Sequence, residues 1–472
     1  VHILLREHKE FEVSFCDNFT KDHLIMPRLF KKERGRSYHC YSRKITENEV
    51  VLNSDYFVGL DWLTNDRFIQ VEPKLNLAVL KSFENISSKI DEDISEEEIQ
   101  KIDEESEKEV ATTAVSDNSE NDLVKEVNII GMLMKIMSYN EVAKETDELL
   151  LIDWEAPEID IDQKKDLLTP FLVVKFLNFL KDIVRKGLKK SYYKVQENLR
   201  NRVKGKILVG QQIKQNVFKN RFTNTVCEYE VFGEDSVENR FLKKVFLFCT
   251  QYVENNEYYF KNKNDISGIV NFIRPAFEHI GSEAYMQDIK YLKYNPFFKE
   301  YKEAIKIGQQ ILKRFSYSIT KTTAEKNSTP PFWIDMPKMF ELYVYAKLLA
   351  DNPDLNITNL NYQFSTHGNS LDFLICTENK KIVVDSKYKL KYNYGQIHDD
   401  IRQVAGYARL NKVKNERPKI KNEIPCLIIY PRALGDPKDG QLKIDELFHN
   451  KINSYHEVYK IGIDLPFIDS IS

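Results

Sequence analysis

Residues 371–388, LDFLICTENKKIVVDSKY, set two apolar runs on either side of the polar loop Thr377–Lys380. Short β-branched and aromatic runs separated by four polar residues predict an antiparallel hairpin. Pairing around that loop puts Cys376 opposite Lys381, Leu374 opposite Val383 and Asp372 opposite Asp385. Facing residues share one side of the sheet with Cβ atoms roughly 5 Å apart, where like charges are destabilising. Lys387, two residues past Asp385, projects on the same side because strand side chains alternate. Two carboxylates converging beside an ammonium suit a hard divalent cation that keeps waters and binds phosphate. The apolar strand ends in charges because it ends at a site.

The flanks extend the pattern. Asp335 is placed to cap a helix with Pro337 in its first turn. MFELYVYAKLLA follows, apolar on nearly every side, with Glu341 its only acid. A carboxylate there needs a cation or donors, or must reach the surface, so Glu341 is a candidate for the same polar site. Strands at LNYQFS, LDFLIC and KIVVDSKYKL, a helix at QIHDDIRQVAGYARL and a strand at PCLIIYP give the order α-β-β-β-α-β. The residue types imply metal-dependent phosphodiester cleavage. Asp372 and Asp385, with Glu341 and the Ser386 carbonyl available, would hold Mg²⁺ or Mn²⁺, which polarises a phosphate and acidifies a bound water. Lys387 would orient that water and offset charge growing on the phosphate oxygens. A salt-bridged edge hairpin is the plainer alternative.

A chain of 472 residues exceeds one hydrophobic core and predicts two to four domains. Its net charge of -3 conceals an uneven distribution. Residues 91–122 hold fourteen carboxylates against two lysines, which predicts a linker or loop insertion. Between Lys380 and Lys421, twelve Lys or Arg face four acids. Such a zone can neutralise phosphates, with Tyr388, Tyr392 and Tyr394 packing on sugars or bases, or can be an ordinary solvated surface. The first 85 or so residues read as β-rich, with YFVGL and RFIQV forming a hairpin around Asn65-Asp66. Helical periodicity dominates NDLVKEVNIIGMLMKIM and LLTPFLVVKFLNFLKDIVRKGL. Strands are expected at GKILVGQQIKQNVF and TVCEYEVF, then a helix opened by Asp235 with Glu238 at capping-box spacing. Six cysteines without any CxxC spacing indicate neither a zinc site nor a disulfide framework. No apolar run reaches the ~18 residues of a membrane span, and VHILLREHKEFEV lacks signal-peptide character, so a cytoplasmic location is expected. No GxxxxGK[ST] occurs, so any nucleotide hydrolysis must come from another chain.

Glu341 on a first helix, Asp372 in NSLDFLI and the D-x-K of Asp385 and Lys387 in VVDSKYK resemble the PD-(D/E)xK nuclease superfamily. Gln403 and Tyr407 in DDIRQVAGYA resemble the Q-x-x-x-Y element of related nucleases; at i, i+4 they share a helix face with Asp399, suited to a phosphate or DNA-backbone contact or to a surface hydrogen-bond pair. Upstream, YFVGLDWLTNDRFIQVEPKL, GLKKSYYKVQENLRNRVKGKILV and CEYEVFGEDSVENRFLKKVF are similar to the McrC family. The acidic run and the long N-terminal half depart from that pattern. The resemblance implies a DNA endonuclease subunit of a modification-dependent, 5-methylcytosine-type restriction system. Its partner would be a McrB-like AAA+ GTPase ring that translocates DNA, with the N-terminal half of this chain inserting into the ring. The expected architecture is multidomain α/β: a β-rich docking region at 1–86, an acidic linker or insertion at 87–122, a mainly helical middle at 123–326 and a PD-(D/E)xK core, a mixed αβββαβ sheet flanked by helices, at 327–472. Two other readings stay open, a stand-alone repair nuclease with the same core and a regulatory subunit acting chiefly as a GTPase activator.

Overall fold

The structure is a computed structural model that describes every residue except 1, 8–9, 17–18, 32–36, 77–123, 163–164, 257, 261–262, 285–288, 290–298, 316–325, 367–368, 389–393, 420–422, 433–440, 449–450, 453–454 and 469–472. The acidic run, and with it the linker expectation, lies outside the described residues. Contacts divide the chain into two compact units, Val1–Asp160 with Ser328–Ser472, and Ile161–Asn327. The β-rich N-terminal region and the C-terminal region thus fall in one unit, which also takes in the described residues between 124 and 160.

The first unit holds two five-stranded sheets. One is built from β1 (His2–Arg6), β2 (Phe57–Trp62), β3 (Phe68–Glu72), β4 (Leu150–Ile152) and β5 (Phe332–Asp335), in the order β1-β3-β2-β5-β4. The β2/β3 hairpin pairs Trp62 with Phe68 and Gly59 with Val71, as expected of a turn at Asn65-Asp66. A side chain at Gly59 would strike the Phe332 carbonyl, so its absence lets β5 lie beside β2. Strand β5 then runs straight into α1 (Met336–Asp351). Asp335 caps that helix, accepting from Lys338 N at 3.0 Å, and Pro337 occupies the first turn. The helix buries residues around most of its circumference, among them Phe340, Tyr343, Val344 and Leu348.

The second sheet runs β6 (Leu360–Thr366), β7 (Asn369–Cys376), β8 (Lys381–Ser386), β9 (Cys426–Arg432) and β10 (Val458–Asp464), in that order. β6, β7 and β8 are antiparallel, whereas β8, β9 and β10 are parallel. Pairing of Leu374 with Val383 and Cys376 with Lys381 reproduces the register read from the hairpin. Helix α2 (Tyr394–Ala408) buries Ile401, Val404 and Tyr407 against Leu371, Leu374, Val383 and Cys426. A strand covered on both faces needs the unbroken apolar run that β8 has. The order α-β-β-β-α-β is present, and β10 adds a strand the sequence reading did not include.

Also in this unit, helix Ile129–Met137 starts at the Asn128 cap, later than its periodicity implied, because Val124–Glu126 is a strand. The second unit packs helices Leu168–Lys186, Val237–Asn255 and Lys299–Arg314 on one another. It also carries an arm in which Ser191–Arg200 and Asn224–Gly233 pair antiparallel along their full length. GKILVGQQIKQNVF is strand only at Lys206–Ile207; Val209–Val217 is helical, and there the Gln212 side chain takes up the edge of Asn224–Gly233, accepting from Val226 N at 2.8 Å and donating to Asn224 O at 2.9 Å. The next helix is capped by Ser236, not Asp235, which instead pairs with Arg240 at 2.6 Å and accepts from Gly281 N at 2.9 Å.

Candidate active site

The ladder between β7 and β8 ends at Phe373 with Val384; Asp372 and Asp385 are the next residues beyond it, and the charge of Asp385 acts on Asp372. Asp372 Oδ2 accepts from Ser386 N and from Ser386 Oγ, both at 2.7 Å. Asp385 is buried, and its Oδ2 lies 2.8 Å from Lys387 Nζ. That contact is an ion pair, and Lys387 is the charge that opposes the cost of burying Asp385. Glu341 arrives from α1, where Gln363 Nε2 donates to its Oε1 at 3.2 Å and Lys338 Nζ stands 3.5 Å away. Gln363 is skipped in the β6/β7 register, between the pairs Tyr362–Phe373 and Phe364–Leu371, and its φ of 48° lies outside the strand region.

The electrostatics follow from burying carboxylates together. Desolvation and then the neighbouring Asp385 push the Asp372 carboxyl up to about 6, against the pull of its Ser386 bonds. Burial, followed by the charge of Asp372, raises Glu341 despite Lys338. Burial raises Asp385 as well, with Lys387 opposing the shift. For Lys387, burial disfavours the charge, but Asp385, Asp400 and Asp372 outweigh it and hold the ammonium above its ordinary range. Burial and mutual repulsion thus raise three carboxylates, with Lys338 beside Glu341 and a protonated Lys387 beside Asp385. Among the described residues no group of three or more His, Cys, Asp or Glu side chains is arranged to hold a metal ion.

Helix α2 closes the site. Gln403 Oε1 accepts from Lys387 Nζ at 2.9 Å, and Gln403 Nε2 donates to Tyr407 Oη at 2.7 Å. Asp399 does not join them; it is exposed and paired with Arg402 at 3.2 Å. The acid that faces Lys387 is its neighbour Asp400, buried, 3.9 Å from the ammonium. Sequence reasoning chose Asp399 on i, i+4 spacing alone; burial selects the next residue along the helix.

The basic zone is less available than its composition implied. Lys381 is buried and donates to the carbonyls of Val413, Lys414 and Glu416, while Lys387 lies inside the carboxylate cluster. Tyr388 is buried and cannot stack on a base. Tyr392 lies outside the described residues, as does the side chain of Tyr394. Exposed cations and apolar groups gather instead on the arm of the second unit, a surface that sequence reasoning missed. Residues 200–222 carry seven Lys or Arg and no acid, and expose Val203, Val209, Phe218 and Phe222, the two phenylalanines 78% and 74% accessible.

No helix among the described residues is long and apolar enough to cross a membrane. Residues 58–431 match the family described as McrBC 5-methylcytosine restriction system component. No curated protein matches the chain. Among solved structures, a half-complex from a tetradecameric assembly of Thermococcus gammatolerans McrB AAA+ hexamers with bound McrC is 13% identical over 100% of this chain and 97% of that chain, with a TM-score of 0.37. The Thermococcus gammatolerans McrBC complex is 12% identical over 74% of this chain and 88% of that chain, with a TM-score of 0.25. Superpositions this distant carry no argument about the site.

Proposed function

The chain belongs to the McrBC 5-methylcytosine restriction system component family, and from that membership we propose that it is the DNA-cutting subunit, an McrC-like endonuclease whose PD-(D/E)xK core is the β6–β10 sheet with α1 and α2. The observation that carries this reading is the meeting of Glu341, Asp372, Asp385 and Lys387 from three separate elements at the end of one strand. Buried like charges are costly, and a fold keeps them together where a cation or substrate repays the cost.

The residue types suit Mg²⁺, with Mn²⁺ able to substitute: all three acids offer hard oxygen donors, and each is raised by burial and by the charge of another. Asp372, Asp385 and Glu341 would hold the ion, which when bound supplies phosphate polarisation and a more acidic water. Lys387 keeps its proton and offsets charge developing on the phosphate oxygens. Gln403 holds that ammonium in place, and Asp400 keeps it protonated. Ser386 fixes the direction of Asp372.

The partner in this reading is a McrB-like AAA+ GTPase ring that selects the 5-methylcytosine-type site on DNA and moves along it. We assign the ring contact to the arm of the second unit, since the exposed Phe218 and Phe222 in its acid-free stretch 200–222 are costly to leave in water and suit burial in a protein channel. The same arm favours a second reading, in which the chain serves chiefly to activate the partner's GTPase. Pull-down with the AAA+ protein, followed by GTPase and DNA-cleavage assays of the wild type and Asp385→Ala, tests both. Loss of cleavage with retained GTPase stimulation supports the nuclease; unchanged cleavage overturns it. Efficient GTP-independent degradation by the pure chain would indicate a stand-alone repair nuclease.

A further inference from the structure

Tyr388 directly follows Lys387, and what it touches joins the candidate site to the far end of the sequence. Its hydroxyl donates to Glu7 Oε2 at 2.9 Å, across 381 residues of chain. Glu7 directly follows the first strand, β1, and is only 5% exposed; Tyr388 is 4% exposed. The Tyr388 ring packs on Phe340, the neighbour of Glu341, with centroids 5.6 Å apart, and edge-on to Tyr56 at 6.2 Å. Tyr56 stands just ahead of β2, and its backbone carbonyl accepts from Met336 N, the first residue of α1, at 3.2 Å.

The backbone explains why these contacts matter. The β8/β9 ladder ends at Ser386 with Ile429, and one further bond, from Lys387 N to Ile429 O at 2.7 Å, fixes the lysine's own amide. Past that bond the chain is held by Tyr388. A lysine side chain has many rotamers to lose, so a precise ammonium position needs a rigid base. Glu7 is an unusual choice for an anchor: desolvation pushes its carboxyl up to about 8, and among the described residues nothing bonds its Oε1. An acid kept neutral in an apolar pocket costs stability unless its bond serves something.

We propose that Tyr388 and Glu7 form a positioning pair that holds Lys387, making the DNA-cutting rate depend on the first strand of the N-terminal sheet. This rests on the nuclease reading of the site. Neither residue touches substrate; both act through the lysine.

The test compares full-length Tyr388→Phe, Glu7→Leu, Glu7→Gln and the Tyr388→Phe/Glu7→Leu double variant, each assayed with the AAA+ partner, GTP and Mg²⁺. Phe keeps the ring packing and removes only the hydroxyl, while Gln keeps a neutral acceptor of the same shape. Expected are kcat losses of about 10-fold for Tyr388→Phe and Glu7→Leu, with KM for DNA unchanged, no further loss in the double variant, and near-normal rates for Glu7→Gln. A second readout needs no catalysis: acylation of Lys387 by acetic anhydride, followed by mass spectrometry in metal-free protein, should be about 10-fold faster in Tyr388→Phe. Additive losses, losses confined to KM, or unchanged Lys387 reactivity overturn the pair. If Glu7→Leu does not fold, Tyr388→Phe and Glu7→Gln decide alone. Lys387→Ala is run beside them; if it still cleaves, the nuclease reading fails, whereas the acylation result still judges the pair.

Discussion

Gln403 bridges Lys387 and Tyr407: Oε1 accepts from the ammonium at 2.9 Å while Nε2 donates to the Tyr407 hydroxyl at 2.7 Å. An ammonium can only donate, so Lys387 requires the amide oxygen, and the Tyr407 hydroxyl, able to donate or accept, takes up the nitrogen that is left. Gln403→Ala should lower cleavage about 10-fold with little change in KM, and Tyr407→Phe less, since the lysine itself still biases the amide. Steady-state kinetics on a single-site duplex would measure both. A wild-type rate for Gln403→Ala would remove the amide from the mechanism.

Asp385→Ala and Lys387→Ala should each abolish DNA cleavage and leave partner binding intact. Both positions lie in the β8 end of the first unit, and Asp385 and Lys387 neutralise each other across 2.8 Å. Removing one partner leaves the other buried and unpaired, so a melting temperature several degrees lower is expected as well. Co-elution with the ring, scored beside nicking of plasmid DNA, separates the two effects. Nicking that survives in either variant would sink the site assignment.

Phe218→Asp and Phe222→Asp, placed on side chains 78% and 74% exposed, should weaken association with the AAA+ ring without changing the melting temperature. Changes this exposed seldom alter stability by more than about 0.5 kcal/mol. Analytical size exclusion with the partner and GTP reads the association. Normal complex formation by both variants would return the docking role to the N-terminal strands.

The parts of the fold legible in the sequence were those set by neighbours. The register of β7 on β8 follows from a four-residue loop, and the start of α1 from Asp335 and Pro337, because turns and caps are local chemistry. Lys387, Asp372 and Asp385 came from the same hairpin. What stayed hidden depends on distant surfaces. GKILVG has strand-forming residues, but only Lys206–Ile207 pairs, and beyond it the side chain of Gln212, out of reach of any local pattern, bonds Val226 N and Asn224 O of the neighbouring strand. Asp400 and Asp399 are equivalent in periodicity and differ only in which is covered. Nothing near Glu7 announces a bond to Tyr388, since that bond joins residues 381 apart in the sequence.

Asp372 gives the most direct test of metal binding, because its two states pull stability in opposite directions. Its carboxyl is raised to about 6 in the folded chain, above the roughly 3.9 of an unfolded aspartate. The folded state thus binds the proton more tightly, so this group's contribution is fully present below about pH 4 and is lost as pH rises through about 6. In EDTA at neutral pH, Asp372→Asn should therefore melt higher than wild type, and the two should converge near pH 4. The amide can still accept from Ser386 N and Oγ, as the carboxylate does at 2.7 Å. Saturating Mg²⁺ reverses the order of merit: an ion that binds only the native state stabilises it by mass action, and it needs the ionised acid that the variant lacks. Wild type should gain more than Asp372→Asn at pH 7. Melting curves of both proteins at pH 4 and 7, with EDTA or with metal, measure each sign separately. Equal metal-induced gains would show that Asp372 is not a ligand, and a lower melting temperature for the variant in EDTA would show that it does not repel Asp385.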